Sequence, residues 1–439
     1  MYNNLLYIHI NGIAKKRGIN LSTKLDLNLV DLRQTVERLA LNTPVTDMHT
    51  HLYAPEFGDL LLWGIDDLLT YHYLISESFR WSEEEYSRFW SMSKREQADW
   101  IWKLLFLDHS PVSEAASGFI TILKRLGLDV SSRNLDDYRQ ALEKRTVREQ
   151  VDTVMLIAGI EKIVMTNDPF DSAERPVWQS GKGKTDPRFY AALRVDALLN
   201  DWPLAVNELQ SLGYDVQAEW TERTKEETRR FLSEWIIRMD ALYLAVSMPG
   251  DFKYPADDHR NQMINQVMIP VCQEQNIPFA LMIGVRRKVN PSLGLAGDMS
   301  MHADVSAVEA LCRQYPNQKF LITMLARENQ HELTVLARKF RNLMIFGCWW
   351  FLHIESMVEE MTRFRLELLG TSMIPQHSDC RVFEQLIYKW EHSRRIIGNV
   401  LADKYEKLHH SGWIVTEEEI QRDLDDMLNR NFWRFLGKE

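Results

Sequence analysis

Four cysteines in 439 residues, Cys272, Cys312, Cys348 and Cys380, are too few and too irregularly spaced for a disulfide scaffold, a zinc knuckle or a CxxC redox pair. They read as reduced thiols, which points to the cytoplasm. No apolar run of about 18 residues occurs, so no membrane span is expected. The first twenty residues interrupt their apolar positions with Asn and His and place basic residues after them, the reverse of a signal peptide. Positive charge is not in excess either. Lysine and arginine number 52 against 62 acids, a net charge of −10 with the signs well mixed, which disfavours nucleic acid or an anionic membrane as partner. A P-loop and a Gly-x-Ser-x-Gly elbow are both missing, so nucleotide hydrolysis and serine-hydrolase chemistry have no support and no nucleotide cofactor is expected. Gly181-Lys182-Gly183 lies in a polar loop, and His331-Glu332 lacks the second histidine of a zinc-protease helix.

What the chain does have is a 45% hydrophobic and 26% charged composition, enough to bury a large core. Eight short apolar runs alternate with helical stretches: VTDMH near Val45, KIVMT near Ile163, FYAALRV near Ala191, LYLAVS near Leu244, PFALMIG near Leu281, KFLITML near Leu321, LMIFGCW near Ile345 and TSMIPQHSD near Ile374. Near-continuous apolar strands separated by helices argue for a buried parallel sheet. Eight units predict a (β/α)8 TIM barrel with its chemistry at the C-terminal strand ends; an open doubly wound sheet shares the local pattern. The first two runs are far apart, so a helical insertion is expected at about 55–148, carrying Trp63, Trp81, Trp90, Trp100 and Trp102 and a capping-box pattern at Ser82 and Glu85, folded over the barrel mouth. Residues 1–40 read as a peripheral extension with an opening helix from Leu32 to Leu41, and 41–439 as the barrel domain. Extra C-terminal helices are expected from Val382 to Leu408, as one helix or a pair, and after a second capping box at Thr416 and Glu419.

His49 and His51, two apart at the end of the first strand, share a face and can converge on one metal ion or substrate oxygen. Thirteen histidines make such a pair unremarkable by chance; its position at a strand end gives it weight. Asp379 and Arg381 end the eighth run, the neighbour of the first in a closed barrel, and fit either a carboxylate that moves protons with a cation for oxyanion charge, or a salt bridge. His72 and Tyr73 sit in LLTYHYL, where burial in a helix is the default reading. Arg194 and Arg287 lie at or just past the third and fifth strand ends, suited to an anionic substrate or to ion pairs. Trp349, Trp350 and Trp390 fit a sugar wall or a core.

Taken together, PVTDMHTHLYAPEFGDLLLWGIDDLLTYHYL, FGCWWF and HSDCR resemble uronate isomerase, also called glucuronate isomerase, of the amidohydrolase superfamily, from about Leu41 to the C-terminus. The resemblance implies a distorted (β/α)8 barrel that interconverts D-glucuronate with D-fructuronate and D-galacturonate with D-tagaturonate in hexuronate catabolism. By position it implies His49, His51 and Asp379 as metal ligands, His72, Tyr73, Asp379 and Arg381 as catalytic residues, and Arg194, Arg287, Trp349 and Trp390 as substrate contacts. Many members carry a histidine on the fifth strand, where this chain has Met282. A thioether is a poor ligand beside imidazole and carboxylate, so a single divalent ion such as zinc is expected to be weakly held and not essential. A homo-oligomer is expected, with a small hexuronate as the other partner.

Isomerisation moves a proton from C2 to C1 through an enediolate. The expected division of labour has Tyr73, acidified by His72 or Arg381, share the proton transfers with Asp379 while Arg381 stabilises the enediolate. Two alternatives stay open: a metal-dependent hydrolase of a lactone or amide, and a sugar-acid binding protein without catalysis.

Overall fold

The computed structural model describes residues 29–439. Most of the expected N-terminal extension therefore lies outside the described residues; its final part is a helix, Leu29–Asn42, three residues longer at its start than the sequence suggests. Seven strands form one curled parallel ladder: β1 Val45–Thr50, β2 Ile160–Asn167, β3 Phe189–Arg194, β4 Leu244–Pro249, β5 Phe279–Arg286, β7 Phe320–Met324 and β8 Leu343–Ile345. β6, Met299–Ser300, is a two-residue antiparallel addition to β5. Alternating residues divide between two layers. Val164, Ala192, Ala245, Ala280, Met282 and Leu321 point into the barrel, while Ile163, Leu193, Leu244, Leu281 and Ile322 pack outward against helices. The C-terminal Phe432, Trp433 and Leu436 join the inner layer, and Trp433 Nε1 donates to Thr46 Oγ1 at 3.1 Å at the start of β1.

The expected eighth strand is not a regular strand. Ile374 makes one parallel bridge to Phe346, and across the remaining gap His51 N donates to Cys380 O at 2.8 Å and Asp379 N to His49 O at 3.3 Å. The segment from Pro375 to Arg381 is polar and cannot supply the continuous apolar run of a buried strand, so the barrel is distorted and its ladder is not closed. One glycine is obligatory there. Gly347 has φ 65°, and a Cβ on it would land on the imidazole of His377. Gly347→Ala is expected to cost at least about 2 kcal/mol, from left-handed strain plus displacement of His377, read as a lowered denaturation midpoint.

Between β1 and β2 the chain is helical, with helices at Ile65–Leu69, His72–Ser78, Tyr86–Ser91, Lys94–Trp102, Glu114–Arg125, Leu135–Glu143 and Val147–Ala158. Arg139, 6% exposed, ties three of them together through Asp66, Asp99 and Asp136. The capping box expected at Ser82 and Glu85 does not form: the helix there starts at Tyr86 with no side-chain cap, and Ser82 accepts from Glu84 N. Ser93 with Glu96 and Thr146 with Glu149 form such boxes instead, and Thr416 with Glu419 forms the one expected. Val382 to Leu408 resolves into a single helix, Gln385–His410. No helix among the described residues is long and apolar enough to cross a membrane, and all four cysteines are free and buried.

Candidate active site at the strand ends

β1 runs into the site through Asp47, His49 and His51. The β1–β2 register shifts between Asp47 and Thr50, and this irregularity turns both imidazoles toward the barrel interior, with ring centroids 5.6 Å apart at right angles. Asp379 comes from the bridging segment, in a left-handed conformation (φ 53°) that aims its carboxylate at the pair: Oδ1 lies 3.3 Å from His51 Nε2 and 3.8 Å from His49 Nε2. His49 Nε2 and Asp379 Oδ1 are buried without a hydrogen-bond partner. Two imidazole nitrogens and a carboxylate oxygen, all within 4.8 Å of one another, fit a borderline divalent ion such as zinc, so these three residues could hold one. Met282 is buried inside the barrel in the apolar cluster with Met48 and Trp349.

Burial pushes both histidines down, His49 to about 3, where Asp379 opposes the shift and His51 and Arg194 add to it. For His51 the next causes after burial are the charges of Arg381, Arg194 and Arg287, so three guanidinium groups converge electrostatically on one imidazole. Arg194, at the end of β3, pairs with Asp196 at 3.1 Å; Arg287, just past β5, pairs with Asp298 at 2.6 Å. These two line one cavity of about 420 Å³ together with Arg260.

His72 and Tyr73 open the helix His72–Ser78, with ring centroids 4.5 Å apart. His72 Nε2 and Tyr73 Oη are buried without partners. Burial lowers His72 to about 3, helped by Arg381, and raises the Tyr73 phenol well above its usual range, with Tyr71 and Asp379 adding to the rise. The expectation of an acidified phenol is therefore not met: desolvation comes first, the neighbouring phenol and carboxylate add to it, and all favour the protonated form of Tyr73. Arg381 and His72 also border a mostly apolar cavity of about 840 Å³, walled by Tyr71, Tyr86 and Trp90 of the insertion and by the loop after β5. Trp90 Nε1 donates to Ser292 O of that loop at 2.8 Å, which joins insertion and loop at the mouth.

The chain has a near relative of known structure. A uronate isomerase from Bacillus halodurans is 55% identical, with 94% of this chain and 97% of that one covered, and superposes with a TM-score of 0.92. The chain belongs to the uronate isomerase family. A uronate isomerase from Thermotoga maritima (16% identity, 93% and 97% covered, TM-score 0.75) and a glucuronate isomerase from Caulobacter crescentus (16%, 95% and 97%, 0.74) share the fold. No protein-family model and no curated protein matches the sequence.

In this family member the tryptophans named from sequence sit deeper than the polar residues. Trp349 is 3% exposed in the inner apolar cluster, and its neighbour Trp350 meets His72 edge-on at 5.7 Å. Trp390 is 1% exposed and donates Nε1 to Asp47 Oδ2 at 2.7 Å. Asp47, which the sequence reading passed over, is a junction: its other oxygen accepts from Ser378 N at 3.0 Å, and burial raises its carboxyl to about 6. Met48 belongs to the inner cluster and the register shifts between Asp47 and Thr50, so Asp47 faces the opposite side of β1 from the two imidazoles and simple alternation gave no signal for it. His377 was also missed; its ring stands 5.4 Å from that of His49. Lys389 was missed too, its buried ammonium 5.7 Å from the Tyr73 ring centroid.

Proposed function

We propose that this protein is a hexuronate isomerase, interconverting D-glucuronate with D-fructuronate and D-galacturonate with D-tagaturonate by moving a proton from C2 to C1. The observation that carries the reading is the group of buried polar atoms without partners at the strand ends, His49 Nε2, His72 Nε2, Tyr73 Oη and Asp379 Oδ1, with Arg194 and Arg287 lining one cavity and Arg381 another. A sugar acid brings a carboxylate for the cations and hydroxyls for the acceptors, and its enediolate is an oxyanion that cationic donors stabilise. The 55% identity to a uronate isomerase supports the same substrate class.

Arg194 and Arg287 bind the sugar carboxylate, and Arg381, nearest in effect to both His51 and His72, faces the developing enediolate charge. Tyr73 starts protonated, so the first proton the site can give comes from its phenol; the first it can take goes to Asp379. His72 faces Tyr73 as a neutral imidazole able to pass that proton on. Trp349 and Trp390 back the site behind these groups. A divalent ion held by His49, His51 and Asp379 supplies Lewis-acid polarisation of a sugar oxygen when bound. The domain organisation proposed is one barrel domain, 41–439, with the insertion as part of it. The four unpaired thiols support a cytoplasmic setting, and the enzyme is proposed to act as a homo-oligomer.

Proton NMR of the purified protein with D-glucuronate in D2O tests the reading. The keto sugar is expected with deuterium incorporated at C1, both with and without a chelator. No product from glucuronate or galacturonate with folded protein overturns it.

A further inference from the structure

The two histidines at the end of β1 are held from behind by hydroxyls, and the direction of those hydrogen bonds determines which ring nitrogen carries the proton. Tyr243, fully buried in the residue before β4, has Oη 2.6 Å from Met48 O and 3.2 Å from His49 Nδ1. A phenol has one proton. Two oxygens at 2.6 Å repel unless that proton lies between them, and Met48 O can only accept, so Tyr243 donates to the carbonyl and presents lone pairs to His49. His49 Nδ1 must then be the donor.

The same arrangement recurs at His51 on an unrelated side chain. Thr166, on β2 and 4% exposed, has Oγ1 2.8 Å from Thr50 O and 3.1 Å from His51 Nδ1. Its proton goes to the shorter contact with the obligate acceptor, and His51 Nδ1–H donates to Oγ1. A neutral imidazole has a single N–H, so a proton placed on Nδ1 by these contacts leaves Nε2 bare. The two bare nitrogens are the atoms that face Asp379 Oδ1.

We infer that Tyr243 and Thr166 are positioning residues that lock His49 and His51 as Nδ1–H tautomers, so that both Nε2 lone pairs meet the Asp379 carboxylate around one cation position. Three acceptors facing one another without a donor are mutually unfavourable, so the cluster is prepared for a positive charge among them. Because the rear partners are neutral hydroxyls, they fix orientation without adding the basicity that a carboxylate behind the ring supplies. The inference rests on His49, His51 and Asp379 forming one site. It does not require the isomerase chemistry, since neither readout below uses substrate.

Long-range proton–nitrogen NMR of metal-free, histidine-labelled protein reads the tautomers directly, with His49 and His51 assigned by single substitution. Both rings are expected with the proton on Nδ1. Thr166→Val and Tyr243→Phe should each mix the tautomers of the facing ring and weaken zinc binding by about 10- to 100-fold in competition with a chelating dye. Thr166→Ser, which keeps the hydroxyl, should match the parent. A proton on Nε2 of either ring in the parent protein overturns the inference, and so does unchanged zinc affinity in the folded Val and Phe variants. Should either variant fail to fold, the parent spectrum alone decides.

Discussion

Asp379→Asn lowers turnover of D-glucuronate by at least about two orders of magnitude, the scale of losing one acid/base group, while leaving the fold intact. Asp379 sits at φ 53°, a conformation that asparagine tolerates as well as aspartate, so the amide adds no backbone strain. Its main-chain link to β1, Asp379 N to His49 O, is unaffected by the exchange. What changes is the oxygen 3.3 Å from His51 Nε2, which loses its negative charge and its ability to take a proton. Turnover followed by NMR, alongside circular dichroism, checks this result; near-parental turnover in a folded variant would remove Asp379 from the proton-transfer path.

The second large effect is on stability, and its sign comes from the buried histidines. His49, His51, His72, His353 and His377 are all pushed below the ordinary 6.5, first of all by burial, His49 and His72 to about 3. In the unfolded chain each takes a proton below 6.5 that it refuses in the fold, so its stabilising contribution is present above that pH and is lost as pH falls. Asp47, Glu174 and Glu384 work the other way. Burial raises them to about 6, 7 and 7, so they hold protons in the fold that the unfolded chain has released, a contribution present in acid and lost as pH rises through 6 to 7. His259 and His392 are shifted down as well, and Glu114 and Asp168 up, so near pH 5.5 the lowered histidines still outnumber the raised carboxyl groups and the unfolded chain binds more protons than the fold. Stability should therefore rise with pH there. Denaturant midpoints at pH 5.5 and 6.5 measure it: the lower midpoint is expected at 5.5, and equal midpoints would contradict neutral burial of the histidines.

The barrel was legible because strands covered on both faces must be apolar almost throughout, and seven of the eight runs became ladder strands. The eighth was found by its place in the repeat, while its irregular backbone followed from polarity that the reading noticed only as candidate chemistry. The Ser82–Glu85 pattern misled because Ser-x-x-Glu is common and only the local backbone decides which copy caps a helix. Asp47 was out of reach because β1 loses its alternation between Asp47 and Thr50. Tyr243 and Thr166 were out of reach too, since each meets its histidine across more than a hundred residues of chain, and spacing in sequence carries no information about register between strands. Family resemblance grouped His72 and Tyr73 with the strand-end residues, where local periodicity alone favoured an ordinary buried helix.

Apart from its two main-chain links to His49 and His51, the bridging segment between Ile374 and Val382 is fastened by side chains where its neighbours are fastened by strand pairing. Gln376 accepts from Cys348 N and His377 N, Asp47 from Ser378 N, and Gln385 from both Arg381 N and Val382 N. A strand dictates that every second residue faces the same way; a chain held at separate points obeys no such rule, so His377, Asp379 and Arg381 can each be aimed independently. Exchanging one of those three anchoring side chains would swing one reactive group without unzipping the sheet beside it. The unclosed edge of the barrel is thus the place where evolution could retune this chemistry one residue at a time.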